Sequence, residues 1–325
     1  MTRQANALAQ GAILAAMAAI LGLAALYLPV LGVLAGALWT IPIIVLILRF
    51  ELNTGIMALT VALAIIGMTA GPVGALSLGL RGGFTALILG YAFRQQWSPG
   101  LTVLSGGVVT VLGTAVLLVV SFAVMGGPLL DTAELERMVD ETMELYRQYG
   151  LLDPLLQQGT SEEEVARQVR QAMGLAMSLI PGMMFISSLS AAGLTYLLAR
   201  LTLKRLGYQV RPLPAFRYWQ VPWYTAWGLI LGLALLLAGD YLGFKPVLLM
   251  GQNIVYIYLP LLLVNGLAVV TYYYYKWNLN PAVKAIGLAL LVINLPVTVI
   301  FLIILGAFDP LFNYRKLSFG TQKRE

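Results

Sequence analysis

The chain has 325 residues, of which 60% are hydrophobic and 10% charged, with a formal charge of +6 and neither cysteine nor histidine. So small a polar fraction does not cover a soluble globule, whereas a bilayer accepts the apolar surface directly. The missing residue types exclude disulfide frameworks, thiol catalysis, Cys/His metal sites and histidine proton relays. The basic residues are scattered at helix ends, with no stripe interleaved with aromatics, which excludes a nucleic-acid surface.

A hydrocarbon core of about 30 Å needs roughly 20 helical residues. Blocks of that order run, in chain order, from Ala7 to Leu28, Val30 to Leu48, Thr54 to Ala70, Val73 to Phe93, Pro99 to Met125, Ala172 to Leu203, Pro222 to Tyr241, Val247 to Tyr275 and Val283 to Ala307. The predicted fold is an all-α integral membrane protein of about nine transmembrane helices. Its expected division is a six-helix bundle over 1–206, a basic loop over 207–221, a three-helix segment over 222–308 and a basic tail over 309–325. Turns at Pro29, at Gly71 with Pro72, and at Ser98 with Pro99 predict close antiparallel neighbours among the early spans.

If the spans alternate, Arg49, Arg94, Arg200, Lys204, Arg205, Arg211, Arg217, Lys276 and Lys284 fall on one side, which makes that side and the N-terminus cytoplasmic, in a bacterial plasma membrane. Nine spans then put Arg315, Lys316, Lys323 and Arg324 outside, against the same tendency.

Ten of the fourteen acidic residues lie between Asp131 and Glu164, so the insertion 127–171 is a solvated, extracytoplasmic helical hairpin. Asp131 with Glu134 and Ser161 with Glu164 have capping-box spacing. Leu135, Met138, Val139, Thr142, Tyr146 and Tyr149, and later Val165, Val169 and Ala172, recur at helical spacing and predict one apolar stripe per helix. These stripes pack on each other, or else form a lid or a partner-docking surface.

Arg81 lies within the fourth block, thirteen residues before Arg94 and so about 20 Å from the cytoplasmic interface. A cation at that depth faces the bundle interior or water and finds a partner, which makes Arg81 the first substrate-binding candidate. The alternative is an arginine that snorkels to the outer interface. Gly79, Gly82 and Gly83 around it allow a broken helix or close backbone approach. Asn265 and Asn294 fall at one depth on successive helices, where they either hydrogen-bond to each other or contact a polar substrate. Gln252 and Asn253 lie near the outward turn between the seventh and eighth spans and are further candidates. Tyr272 to Tyr275 with Lys276 and Trp277 have the pattern of an interfacial aromatic belt.

No phosphate loop is present, and the paired carboxylates or nucleophile arrangements of hydrolases are not found in the apolar blocks, so an enzyme is not expected and no cofactor is implied. The first span carries Ala12, Ala15, Ala16 and Ala19, two overlapping pairs spaced four apart. With the Gly71-Pro72 turn and the glycine-rich fourth span, residues from about Ala7 to Leu206 resemble the six-helix substrate-binding subunits of energy-coupling-factor vitamin transporters. The whole chain is similar to the YybS-like bacterial membrane family. The transporter resemblance implies that the alanine face docks on a coupling transmembrane subunit and that Arg81 lies near the substrate level. Together these readings predict a substrate-binding or transport-related membrane protein for a small polar or anionic ligand. The alternative is a non-transporting scaffold that recruits envelope or membrane partners.

Overall fold

Among the described residues of the computed structural model, which are 3–28, 32–125, 132–157, 159–277 and 280–317, every regular element is helical. In chain order the α-helices are α1 (Arg3–Tyr27), α2 (Gly32–Leu38), α3 (Ile41–Arg49), α4 (Leu52–Leu78), α5 (Phe84–Arg94), α6 (Pro99–Met125), α7 (Thr132–Gln148), α8 (Asp153–Gln157), α9 (Glu162–Ser178), α10 (Ile180–Arg205), α11 (Ala226–Tyr241), α12 (Lys245–Lys276), α13 (Pro281–Ile293) and α14 (Leu295–Phe312). Seven helical stretches among these residues are long and apolar enough to cross a membrane: Ala9–Tyr27, Leu52–Arg94, Pro99–Ser121, Ile180–Arg205, Trp223–Tyr241, Lys245–Lys276 and Leu295–Phe312. Two compact units divide the chain: unit 1 is Met1–Asp131 with Met184–Pro212, and unit 2 is Thr132–Met183 with Leu213–Glu325. The expected turn at Pro29, the cap at Asp131 and the tail residues Lys323 and Arg324 lie outside the described residues.

Unit 1 is packed around α3. Pro42 occupies its first turn, where a missing N–H costs nothing, and Ile41 to Ile47 are all buried beneath α1, α4 and α5. The second expected span is thus two short helices, broken at Trp39 and Thr40, where the Thr40 hydroxyl donates to the Ala37 carbonyl (2.8 Å). The stretch Leu52–Arg94 is 43 residues long. As a straight helix it would run about 65 Å, twice the thickness of a hydrocarbon core. Instead it folds back at Gly71, whose φ of +79° and ψ of 166° suit only glycine, with Pro72 starting the return limb. Leu63 lies against Gly79 and Leu59 against Gly83, the pairing of two antiparallel limbs. The Gly71-Pro72 turn anticipated between the third and fourth blocks is therefore present.

In unit 2, α7 and α9 form a hairpin with its own small core of Val139, Met143, Leu152 and Val165, flanked by Leu135, Tyr146, Val169 and Met173. The stripe on α7 runs through Met143; Met138 and Tyr149, expected in it, are exposed. Ala172 is also exposed, and Met173 takes its place. Ser161 caps α9 by accepting the Glu164 amide (3.2 Å). Arg170 pairs with Glu136 and Arg147 with Glu162 across the two helices. The hydrogen bond from Arg170 holds the Glu136 carboxyl below the usual glutamate range, and the same bond raises the Arg170 guanidinium.

Helices α11 and α12 are antiparallel neighbours, brought close because a Cβ on Gly239 would strike the Leu248 backbone and one on Gly251 the Leu236 backbone. Helix α14 crosses α12 where Gly266 meets the Leu302 carbonyl and Gly306 meets the Leu262 carbonyl. The two helices end together, since the Tyr273 hydroxyl donates to the Tyr314 carbonyl (2.8 Å). Helix α12 and helix α14 therefore run in the same direction, and the chain between them must return. It does so through α13, which starts beside Tyr274, whose ring carries the Lys284 ammonium at 4.6 Å.

This corrects the expected ninth span, Val283 to Ala307. The block is two helices, of 13 and 18 residues, parted at Asn294, where φ −111° and ψ 51° leave the helical region. Pro296 in the first turn of α14 has no N–H to continue a helix from α13. Both ends of the hairpin lie at the Lys276 end of α12. In this cysteine-free chain, an impermeant thiol reagent should treat Lys316→Cys and Lys276→Cys alike in intact cells, and Asp240→Cys oppositely. Matching labelling of Lys316→Cys and Asp240→Cys would overturn the hairpin.

Candidate functional site

Arg81 lies on a π-helical turn, Gly79–Gly83, that joins α4 to α5. A π turn inserts one residue into a helix and re-aims the side chains beyond it, a device common at functional positions. The sequence accommodates the turn with small residues. Gly82 lies under the indole of the buried Trp39, and Gly113 of α6 meets the Leu80 carbonyl, where any Cβ would collide. The Thr85 hydroxyl donates to the Arg81 carbonyl (2.9 Å) and lies 2.6 Å from the Thr110 hydroxyl. The turn is thereby held by Trp39, between α2 and α3, and by α6. The Arg81 side chain is exposed and, among the described residues, has no carboxylate, carbonyl or ring partner.

The remaining polar candidates join helices in unit 2. Asn265 is buried; its amide donates to the Gly306 carbonyl (2.8 Å), and its oxygen accepts from Arg315 Nη2 (3.1 Å). Asn294, at the tip of the α13–α14 hairpin, has no part in that arrangement, so the anticipated pairing of the two amides is replaced by pairing with Arg315 and Gly306. Asn253 clamps the junction of α9 and α10: its amide donates to the Ser178 carbonyl (2.8 Å) and its oxygen accepts the Gly182 N–H (2.7 Å). Gln252 beside it accepts from the Ser178 hydroxyl (3.3 Å). In α1, Ala15 and Ala19 are buried inside unit 1, whereas Ala12 and Ala16 are exposed.

One buried centre was not anticipated. Arg315 and Asp309 are both fully buried and form an ion pair. Arg315 Nε donates to Asp309 Oδ1 (3.3 Å) and Nη2 to Asp309 Oδ2 (2.7 Å) as well as to Asn265. Nη1 donates to the carbonyls of Arg217 (3.0 Å) and Trp219 (2.7 Å). A guanidinium has five N–H donors in a fixed fork, and here each has an acceptor. The chain reaches this geometry because α14 ends at Asn313 in the left-handed region, φ +45°, which turns Arg315 back onto the bundle. The signal available in the sequence was Asp309, an acid just beyond the last apolar block and six residues before an arginine.

These placements define a multi-pass, all-helical membrane protein whose intramembrane polar groups chiefly join helices. The chain belongs to the DUF2232 family of predicted membrane proteins, which matches residues 16–310. It is 25% identical over 324 residues to Uncharacterized protein YybS of Bacillus subtilis (strain 168), covering 96% of this chain and 98% of that protein. No solved structure matches it significantly.

Removing one partner of a buried ion pair leaves the other charge without compensation. Arg315→Gln and Asp309→Asn should each destabilise the protein by about 3–5 kcal/mol, read from thermal unfolding in detergent. The double variant should cost less than the two single variants added together, because the two groups act as one unit.

Proposed function

We propose that this protein takes part in membrane transport by binding a small anionic ligand at the Arg81 turn of unit 1. The observation that carries the reading is a cation without a partner among the described residues, exposed on a π turn within an apolar stretch of spanning length. An intramembrane cation is costly, on the order of 2.5 to 3.5 kcal/mol by insertion scales, and is retained where it has work to do. Unit 1 holds the first five apolar blocks and the sixth from Met184 onward, most of the region that resembles the substrate-binding subunits of energy-coupling-factor transporters, and this supports the same reading. The exposed Ala12 and Ala16 are then the part of the alanine face open to a coupling transmembrane subunit.

In this reading the N-terminus and the Lys276 end are cytoplasmic, and the acidic hairpin is outside. The return of the chain through α13 and α14 supports it. Arg315 and Lys316 then share a side with Arg217, Lys276 and Lys284, and no longer conflict with the positive-inside tendency. A scaffold role is the second reading. It is favoured by the α7–α9 hairpin, which buries its own core and leaves carboxylates on its surface for a partner.

The two readings separate by measuring the unfolding temperature of purified protein against a panel of small carboxylates and phosphates. Ligand at about a hundred times its Kd adds about 2.7 kcal/mol of apparent stability. At least one anion should raise the unfolding temperature of the wild type, and Arg81→Gln should abolish that rise while unfolding at the wild-type temperature without ligand. An anion response that survives in Arg81→Gln would refute the assignment.

A further inference from the structure

At the Lys276 end of unit 2 the aromatic belt holds cations in a connected order. Lys276 Nζ lies over the rings of Tyr272 and Tyr273, 5.6 Å from each centroid. Tyr272 packs edge-on against Tyr218 at 6.3 Å. The Arg217 guanidinium lies 5.0 Å from the rings of both Tyr218 and Tyr275. Tyr275 contacts Tyr274 at 5.8 Å, and Tyr274 carries Lys284. Three cations are thus linked through five tyrosines around the end of one helix.

This collar is rich in donors and poor in acceptors. Among the described residues none of the three cations has a carboxylate partner, and the buried acid Asp309 is fully occupied by Arg315. The hydroxyl of Tyr273 is used by the Tyr314 carbonyl, but those of Tyr218, Tyr272, Tyr274 and Tyr275 have no acceptor among the described residues. Arg217 Nε is buried and also has none. A buried donor without an acceptor is uncommon in a folded protein and calls for an explanation, of which a bound water or ion is one. The backbone of Arg217 is meanwhile fixed by Arg315, which uses its carbonyl, so the side chain is presented from a rigid support.

We propose that this collar binds the phosphates of anionic phospholipid headgroups in the leaflet facing the Lys276 end. Cation–π contact orients the three positive groups, and the free phenols add donors at headgroup level. Lipid rather than free phosphate is the occupant because the collar terminates an apolar helix of spanning length, where headgroups are at high local concentration. The proposal does not depend on Arg81.

The test compares purified protein reconstituted in phosphatidylcholine with protein in phosphatidylcholine containing phosphatidylglycerol. Retained lipid is read by native mass spectrometry and stability by thermal unfolding. The wild type should retain phosphatidylglycerol selectively and unfold at a higher temperature in its presence. The combined variant Arg217→Gln, Lys276→Gln and Lys284→Gln should lose roughly a hundredfold of that preference, at roughly fivefold per basic residue. Its backbone carbonyl at residue 217 remains available to Arg315, so it should unfold near the wild-type temperature in phosphatidylcholine alone. A second measurement needs no variant: raising the salt concentration should weaken the wild-type preference. Equal retention by the variant, a preference indifferent to salt, or the same stabilisation by inorganic phosphate would each overturn the proposal.

Discussion

The guanidinium of Arg315 is the constraint on which unit 2 depends. It is fully out of solvent, and its charge is tolerated because Asp309 neutralises it and five hydrogen bonds satisfy its donors. Those bonds come from three stretches distant in sequence: the segment before α11, the middle of α12 and the last turn of α14. Loss of Asp309 would leave an uncompensated charge in an apolar interior, and loss of any other acceptor an unpaired donor, so the three stretches are held in one register. The parallel course of α12 and α14, and hence the return through α13, follows from the same contacts.

Close packing elsewhere relies on missing side chains. Within unit 2, Gly239 and Gly251 bring α11 onto α12, while Gly266 and Gly306 bring α14 onto it. In unit 1, Gly82 admits the Trp39 indole and Gly113 admits the Leu80 carbonyl, which holds the π turn that presents Arg81. Without a hydrophobic drive between helices in lipid, such contacts and a few buried hydrogen bonds supply the association. The glycines around Arg81 thus have a packing role that is independent of any ligand.

Much of the architecture was legible because apolar block length and helix breakers are local properties. The membrane class, the fold at Gly71, the acidic hairpin and the Ser161 cap all follow from residues within a few positions of one another. The last block was misread for the same reason. Its 25 residues from Val283 to Ala307 suit one span by length, and nothing local distinguishes Asn294-Leu295-Pro296 as a reversal rather than a kink. The deciding information is the pairing of Asp309 and Arg315 with Asn265 and the carbonyls of Arg217 and Trp219, which joins residues up to 98 positions apart. The conflict between helix count and basic tail pointed at the faulty segment without showing its form. Asn265, Gln252 and Asn253 are candidates for substrate contact by sequence, and the groups they bond to lie on other segments: Ser178 and Gly182 for Asn253, Ser178 for Gln252, Gly306 and Arg315 for Asn265.

The most direct test of the Arg315-centred register is cross-linking between the ends of α12 and α14. With Tyr273→Cys and Tyr314→Cys in the cysteine-free chain, a short bifunctional thiol cross-linker should join the two positions within one molecule. The pair Leu242→Cys and Tyr314→Cys should remain unjoined. Cross-linking of the second pair in place of the first would contradict the account, because it would put the end of α14 at the opposite end of α12.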